Sequence, residues 1–409
     1  MGFQSGLSGL NSSSRNLDVI GNNVANAAVV GFKGSVTQFA DVFAQSLSGG
    51  GATQIGIGSK VLNVAQTFNQ GNVTPTGNPL DIAITGRGFF RLEDNGTVTY
   101  SRNGQFHLDD QGFVVNADNI NVTGYGIDED GNIIDGAPGP IRFDTSDIPP
   151  RVTTEFSMGV NLNSNDDVPT VPFSPTNTDS YNFSRGGTAY DSLGNAQALT
   201  LYFRKTAPGA WEVIGATNGV IGDANLGAGA GVAVPLAFDT TGALTTAMPL
   251  NVSMVVNSGA TTPLAFTLDL SSSTQYGQAS SINSLAQDGY TSGRLAGYNV
   301  SEDGIIRGAY TNGQSRNLGQ IVLADFVNPQ GLAQLGNNLW RETSASGQPI
   351  IGTPNSGTLG GLQSSAVEDS NVDLTAELVN MIVAQRIYQA NAQTIKTQDQ
   401  VLQTLVNIR

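Results

Sequence analysis

The chain has 409 residues, a formal net charge of −15 and no cysteine, and its 18 Lys and Arg form no basic run. Phosphate backbones and anionic lipid surfaces need clustered cations, so nucleic acid and membrane surfaces are excluded as partners. The missing cysteines exclude disulfides and thiolate chemistry, and no apolar run approaches the ~18 residues that a membrane span requires.

Residues 3–24 carry one apolar stripe: Phe3, Leu7, Leu10, Leu17, Ile20 and Val24. Spacings of three, four and seven place these side chains on one side of a helix, with Gly31 as its stop. The N-terminus lacks the basic and apolar regions of a cleavable secretory signal, so composition by itself reads as cytosolic. From residue 76 the period changes to two. Phe89–Leu92 and Thr97–Tyr100 flank Glu93-Asp94-Asn95-Gly96, and Phe106–Leu108 and Phe113–Val115 flank Asp109-Asp110-Gln111-Gly112. Asn-Gly and acidic-Gly turns between β-formers predict hairpins, and the same grammar recurs at 128–132 and 301–304.

Pro149-Pro150 marks a boundary, followed by new strands near Thr188–Tyr190 and Leu199–Phe203 and a Gly/Ala-rich surface loop at 222–231. The last forty residues carry a stronger stripe: Leu374, Met381, Tyr388, Ile395 and Leu402 recur every seven positions, widened by Leu378, Ile382, Ala392, Leu405 and Val406. Ser370 or Asn371 is the expected N-cap, with Asp373 in the first turn. No Pro or Gly follows Asn371, which predicts one helix of about 57 Å.

The fold expected is mainly β with terminal α-helices, in a nested, multi-domain chain. Residues 1–30 and 368–409 form a coiled-coil-like inner helical domain for polymerisation, and 31–77 an extended connector. Residues 78–150 and 289–367 form a discontinuous β domain, with 151–288 inserted as an outer β domain. A short Ser- and Asn-rich helix is marginal alone, and a two-helix pair leaves much of both stripes wet. Either the β domain of the same chain or neighbouring copies can cover them. The candidate interface is therefore Phe3, Leu7, Leu10, Leu17, Ile20, Val24, Leu374, Leu378, Met381, Ile382, Tyr388, Ile395, Leu402 and Leu405. Gln385, Gln389, Gln393 and Gln400 give the last helix a neutral amide face suited to other copies or a narrow channel, which makes them candidate lumen-facing residues.

Chemistry is sparse. The single histidine, His107, lies between Phe106 and Leu108 in a strand pattern, where a structural role is expected. Without cysteine the common zinc sets cannot form. Asp128-Glu129-Asp130-Gly131 places glycine two positions too early for an EF-hand, and Gly86-Arg87-Gly88 opens no helix. No catalytic, metal or cofactor site is expected, and the chain reads as a non-enzyme.

Several stretches resemble the rod and hook axial proteins of the bacterial flagellum. They are Asn16–Asn26 with Gly31-Phe32-Lys33; Thr76–Ile84 through Gly88-Phe89-Phe90 to Ser101–Phe106; Asn328–Leu332 with Gly336–Asn338; and Ser370–Leu374 through Glu377–Ile382 to Ala392–Thr397. The distal rod paralogue shares these motifs without a large central insertion, so residues 151–288 favour the hook member. The resemblance implies self-assembly into a hollow, curved tube, a universal joint passing torque from motor and rod to filament. It implies type III export without a cleaved signal, and so an extracellular location that reverses the cytosolic reading. Implied partners are other copies of the chain, rod proteins at the proximal end, and the hook cap and hook–filament junction protein distally. The rival reading is a β-rich adhesin or fibre subunit with a ligand site in the central domain.

Overall fold

The computed structural model describes residues 2–42, 56–128, 131–134 and 136–407. It is mainly β, with a helix near each end: α1 (Gly2–Ala25) and α2 (Leu374–Asn407). The chain divides into two compact units. One takes the chain up to Thr145, Gly297–Ala309 and the chain from Ser315 onward; the other takes Ser146–Ala296 and Tyr310–Gln314.

In the first unit, α1 stops at Ala25, six residues before the expected Gly31. Asparagines end it. Asn26 donates its side-chain amide to the Asn22 carbonyl, while Asn23 turns outward, accepting from the Ser35 backbone N–H and donating to the Ser35 carbonyl. Gly31 has a separate task. At φ +71° it donates its N–H to the Glu368 carbonyl, and a Cβ there would fall 2.6 Å from the Asn103 nitrogen.

β1 (Ser35–Val42) and β2 (Gly58–Gln66) form an antiparallel ribbon in which Gln38 faces Asn63 but Phe39 faces Val61, leaving Leu62 as a bulge. Next come β3 (Val73–Pro75) and β4 (Ile82–Thr85). Both pair antiparallel with strands from the far end of the chain: β3 with Ala366–Glu368 and β4 with Gly361–Ser364. Strands adjacent in the fold are thus almost three hundred residues apart in sequence.

Both expected hairpins form. Phe89–Asp94 pairs with Thr97–Ser101 across Asn95 and Gly96, which adopt φ +48° and +83°, the left-handed pair that a two-residue turn requires. His107–Leu108 pairs with Val114–Val115, with Asp109 bonding the Gln111 and Phe113 N–H groups through its carboxylate. Beneath them Phe89, Tyr100, Phe326 and Trp340 are buried together, with edge-to-face ring contacts completed by Phe68.

The second unit is a sandwich of two sheets. In one, Glu155–Asn163 lies parallel to Leu264–Asp269 and Thr274–Tyr276 and antiparallel to Ser281–Gln287. The other runs Phe183–Tyr190, Ala196–Ala207, Ala210–Thr217, Val234–Ala237. Phe156, Leu201, Phe203, Trp211, Val252 and Phe266 share one buried cluster between them. Gly187 is obligatory there, since a Cβ would sit 2.3 Å from the Phe156 ring. The expected surface loop at 222–231 is only partly a loop. Ala224–Asn225 is a short strand and Ala224 and Leu226 are buried, because the two apolar side chains found core space that the glycine count concealed.

Asp191 organises the turn between Phe183–Tyr190 and Ala196–Ala207, the first two strands of the second sheet. Its buried carboxylate accepts hydrogen bonds from the Leu193 and Asn195 N–H groups and from Asn195, Gln197 and Ser258 side chains. Burial opposes the charge, but the bonds from Ser258, Asn195 and Leu193 outweigh it and hold the carboxyl at about 2. A depressed aspartate stabilises the fold fully above its unfolded value and loses that contribution as pH falls towards the folded one. Asp191→Asn should therefore cost this unit about 2 kcal/mol at neutral pH and flatten its acid limb below about pH 4. Urea unfolding followed by Trp211 fluorescence in a Trp340→Phe background measures both.

Candidate assembly interface

α2 begins later than the sequence suggested. Asp373, not Ser370 or Asn371, is the cap: its carboxylate accepts from the Thr375 and Ala376 N–H groups at 2.9 and 3.1 Å. Asn371 is instead committed to tertiary contacts, accepting from Gly34 N–H and donating to the Thr67 carbonyl. The helix runs 34 residues, about 51 Å at ~1.5 Å per residue. Along that length Ala384 is the one buried apolar residue among the described side chains.

α1 and α2 pack together through small and polar side chains. A Cβ on Gly6 would lie 3.0 Å from Ile395 Cγ1, and one on Gly9 would lie 2.8 Å from Asn391 Oδ1. Asn391 Nδ2 reaches Ser13 Oγ at 3.5 Å, and Asn23 donates to Glu377 Oε1 at 3.2 Å. Gly6, Gly9 and Ser13 lie three and four apart on one face, a small-residue signal that a search for large apolar residues passes over. Beside the pair, a cleft of about 400 Å³ is lined by Ser12, Ser13, Phe39, Ser59, Ala384 and Ile387.

Ile395 apart, most of the large apolar residues are left outside this contact. Phe3 and Leu7 are exposed, Leu10, Leu17 and Val24 half-buried, and Ile20 is buried within the chain itself. On α2, Leu374, Leu378, Ile382, Tyr388 and Leu402 are exposed, and Met381 and Ile395 half-buried; the Leu405 side chain lies outside the described residues. Sequence reasoning missed Val379, Val383, Ile387 and Val401, all exposed on the same helix, and Val36, Phe39, Leu62 and Val64 on the β1–β2 ribbon. The heptad count left the former out, and a two-stranded ribbon offers no alternation to read. Gln385, Gln389, Gln393 and Gln400 are all exposed.

At the base of the helices lies a buried ionic cluster. Glu368 Oε1 accepts from Lys33 Nζ at 2.7 Å and from Gly71 N–H at 2.8 Å, and Glu368 Oε2 from Arg102 Nη1 at 3.2 Å. Lys33 also donates to the Asn69 carbonyl and Arg102 to that of Gly86, while the Arg102 guanidinium lies over the Phe89 ring. Burial pulls Lys33 and Arg102 below their usual ranges, opposed by the Glu368 charge. Elsewhere chemistry stays sparse: His107 is exposed, and among the described residues no three metal-ligating side chains converge. No described helix is long and apolar enough to cross a membrane.

Four family models match the chain. The Flagella basal body rod protein model matches residues 3–33 and the Flagellar hook protein FlgE/F/G D1 domain 83–160. The Flagellar basal body protein FlaE D2 domain matches 161–290 and the Flagellar basal body rod FlgEFG protein C-terminal model 363–408. The flagellar hook protein FlgE of Escherichia coli is 46% identical with both chains covered completely. The chain belongs to the flagellar hook protein FlgE family. The hook protein of Salmonella typhimurium is 45% identical over full length, and that of Borreliella burgdorferi 33% identical over 99% of this chain and 98% of its own. The crystal structure of Helicobacter pylori flagellar hook protein FlgE2 shares the fold, with a TM-score of 0.54 at 16% identity, covering 72% of this chain and all of that one. The chain is thus a hook subunit with a structural role, and the adhesin reading falls away.

The geometry of the helix pair separates its glycines. A Cβ on Gly21 would meet nothing within 4 Å, whereas one on Gly9 meets Asn391. Gly21→Ala should stabilise α1 by about 1 kcal/mol through helix propensity alone. Gly9→Val should weaken the pairing of α1 with α2 by about 1–3 kcal/mol through overpacking. Thermal melts of the purified monomer by circular dichroism at the helical band report both signs.

Proposed function

We propose that copies of this chain polymerise by burying the exposed faces of α1 and α2 against one another, forming the inner layer of a hollow, curved hook. The observation that carries this reading is a helix of 34 residues with ten large apolar side chains exposed on it. A monomer gains nothing from that surface. Covering each such side chain contributes roughly 1.5–3 kcal/mol before the cost of association. A head-to-tail contact that does not close on itself yields an open helical assembly.

In this reading residues 1–30 and 368–409 form the inner domain and 31–77 the connector. Residues 78–150 with 289–367 form a middle β layer, and 151–288 the outer one. The tube is a universal joint outside the cell, seated on rod proteins, capped during growth and later joined to the filament through the junction protein. Subunits reach it through the flagellar type III apparatus. Torque is carried by tight apolar packing in the inner layer. Bending is permitted by polar, Gly- and Asn-rich outer surfaces that can exchange partners with little penalty. Gln385, Gln389, Gln393 and Gln400 help line the channel with uncharged amides that hold no passing chain.

Leu378→Lys with Ile382→Lys should abolish tube formation, seen by electron microscopy after salting-out, while shifting monomer stability by no more than about 0.5 kcal/mol. Normal tubes from that variant would sink the reading. Lysines at the four glutamine positions should leave tubes intact and slow export of later subunits, measured as filament protein secreted per cell.

A further inference from the structure

The Lys33–Glu368–Arg102 cluster lies where the chain leaving α1 and the chain entering α2 both meet the β body. Lys33 is eight residues past the end of α1, Glu368 five residues before the Asp373 cap, and Arg102 follows the hairpin strand Thr97–Ser101. All three are buried, Lys33 and the Glu368 side chain completely so. Further bonds converge on the same point. Gly31 N–H donates to the Glu368 carbonyl, Asp369 N–H to the Asn72 carbonyl, and Asn371 bridges Gly34 and Thr67. One carboxylate thus ties segments 31–34, 67–72 and 86–102 to the strand that leads into α2. Two cations share that carboxylate, so losing it would strand both of them out of water. A purely apolar joint would supply adhesion without direction. Charge-assisted hydrogen bonds to defined atoms fix direction as well.

We infer that Glu368 is a positioning residue: it fixes the angle at which α1 and α2 leave the β body, so that the helix base turns with that body as one piece. This inference rests on the polymerisation reading, and the experiment separates the two. Glu368→Gln keeps the shape and removes the charge. Lys33→Met with Arg102→Met and Glu368→Leu removes every charge and leaves an apolar plug. In purified wild-type monomer, trypsin should spare the bond after Lys33. In Glu368→Gln it should cut there at least tenfold faster, while Trp211 fluorescence reports the second unit still folded. The triple variant, which has no lysine at position 33 for trypsin, should regain the melting temperature of the wild type, yet build tubes of irregular curvature from cells or by salting-out. Stability alone would predict regular tubes from the triple variant, so regular tubes overturn the inference. Unchanged cleavage in Glu368→Gln overturns it too, without reference to assembly. If the wild type itself forms no tubes, the polymerisation reading fails instead, and the cleavage result still judges the joint.

Discussion

A single carboxylate, Glu368, holds both ends of this chain to its β body. Its oxygens take hydrogen bonds from Lys33, Gly71 and Arg102, and its own carbonyl takes one from Gly31. Surface ion pairs contribute little, because water and salt compete for both partners. This cluster is different: its side chains are buried, so removing Glu368 leaves two buried cations unpaired, a loss of about 3–5 kcal/mol. Such an arrangement is weak evidence for extra stability, since apolar residues of the same volume could do as well. It is strong evidence for a constraint on geometry. The strands that pair near it make the same point. β3 and β4 find their partners at 366–368 and 361–364, so the chain's two ends are spliced together at the root of the helices.

From that root α1 runs along the β1–β2 ribbon, with Ser8 and Ser12 bonded to Ser59, and α2 packs on α1. Their mutual contact is made by Gly6, Gly9, Ser13, Asn23, Glu377 and Asn391, small or polar groups that let backbones approach and leave the large side chains pointing away. The division of labour is physical. Small residues keep the pair close within one chain, and large apolar residues are left exposed. The β1–β2 ribbon continues this pattern, with Val36, Phe39, Leu62 and Val64 exposed beside the helices.

Much of this was legible in sequence, and the parts that were not share a cause. Heptad spacing announced the two helices, and Asn-Gly and Asp-x-x-Gly turns announced the hairpins, because those signals are local and period-bound. The ionic cluster was invisible. Lys33 and Arg102 lie 335 and 266 residues from Glu368 in sequence, and an isolated charge reads as a surface residue until its partner is known. The end of α1 was misplaced because a glycine is a louder stop than two asparagines, Asn23 and Asn26, whose side chains capture backbone groups. The start of α2 was misplaced for the converse reason. Asn371 is a good cap in isolation, but Gly34 and Thr67 had already claimed its amide. Tertiary contacts decided both boundaries, and no local pattern encodes them.

Charge completes the argument. The chain carries −15, and packing many such copies into one tube brings like charges together. Their distribution eases the conflict. α1 contains Arg15 and Asp18; α2 contains Arg386 and Lys396 against Glu377 and Asp399, so each helix sums to zero. The whole excess of negative charge therefore lies outside the helices, mostly on the β units. Salt at physiological strength screens charges beyond about 8 Å, so repulsion among β units is softened where water and ions reach them. The helices themselves carry no net charge to screen. A subunit built this way repels its neighbours gently at large separation, while its helices carry no net charge to oppose their meeting. That combination keeps the free protein soluble without opposing the contact on which a polymer would depend.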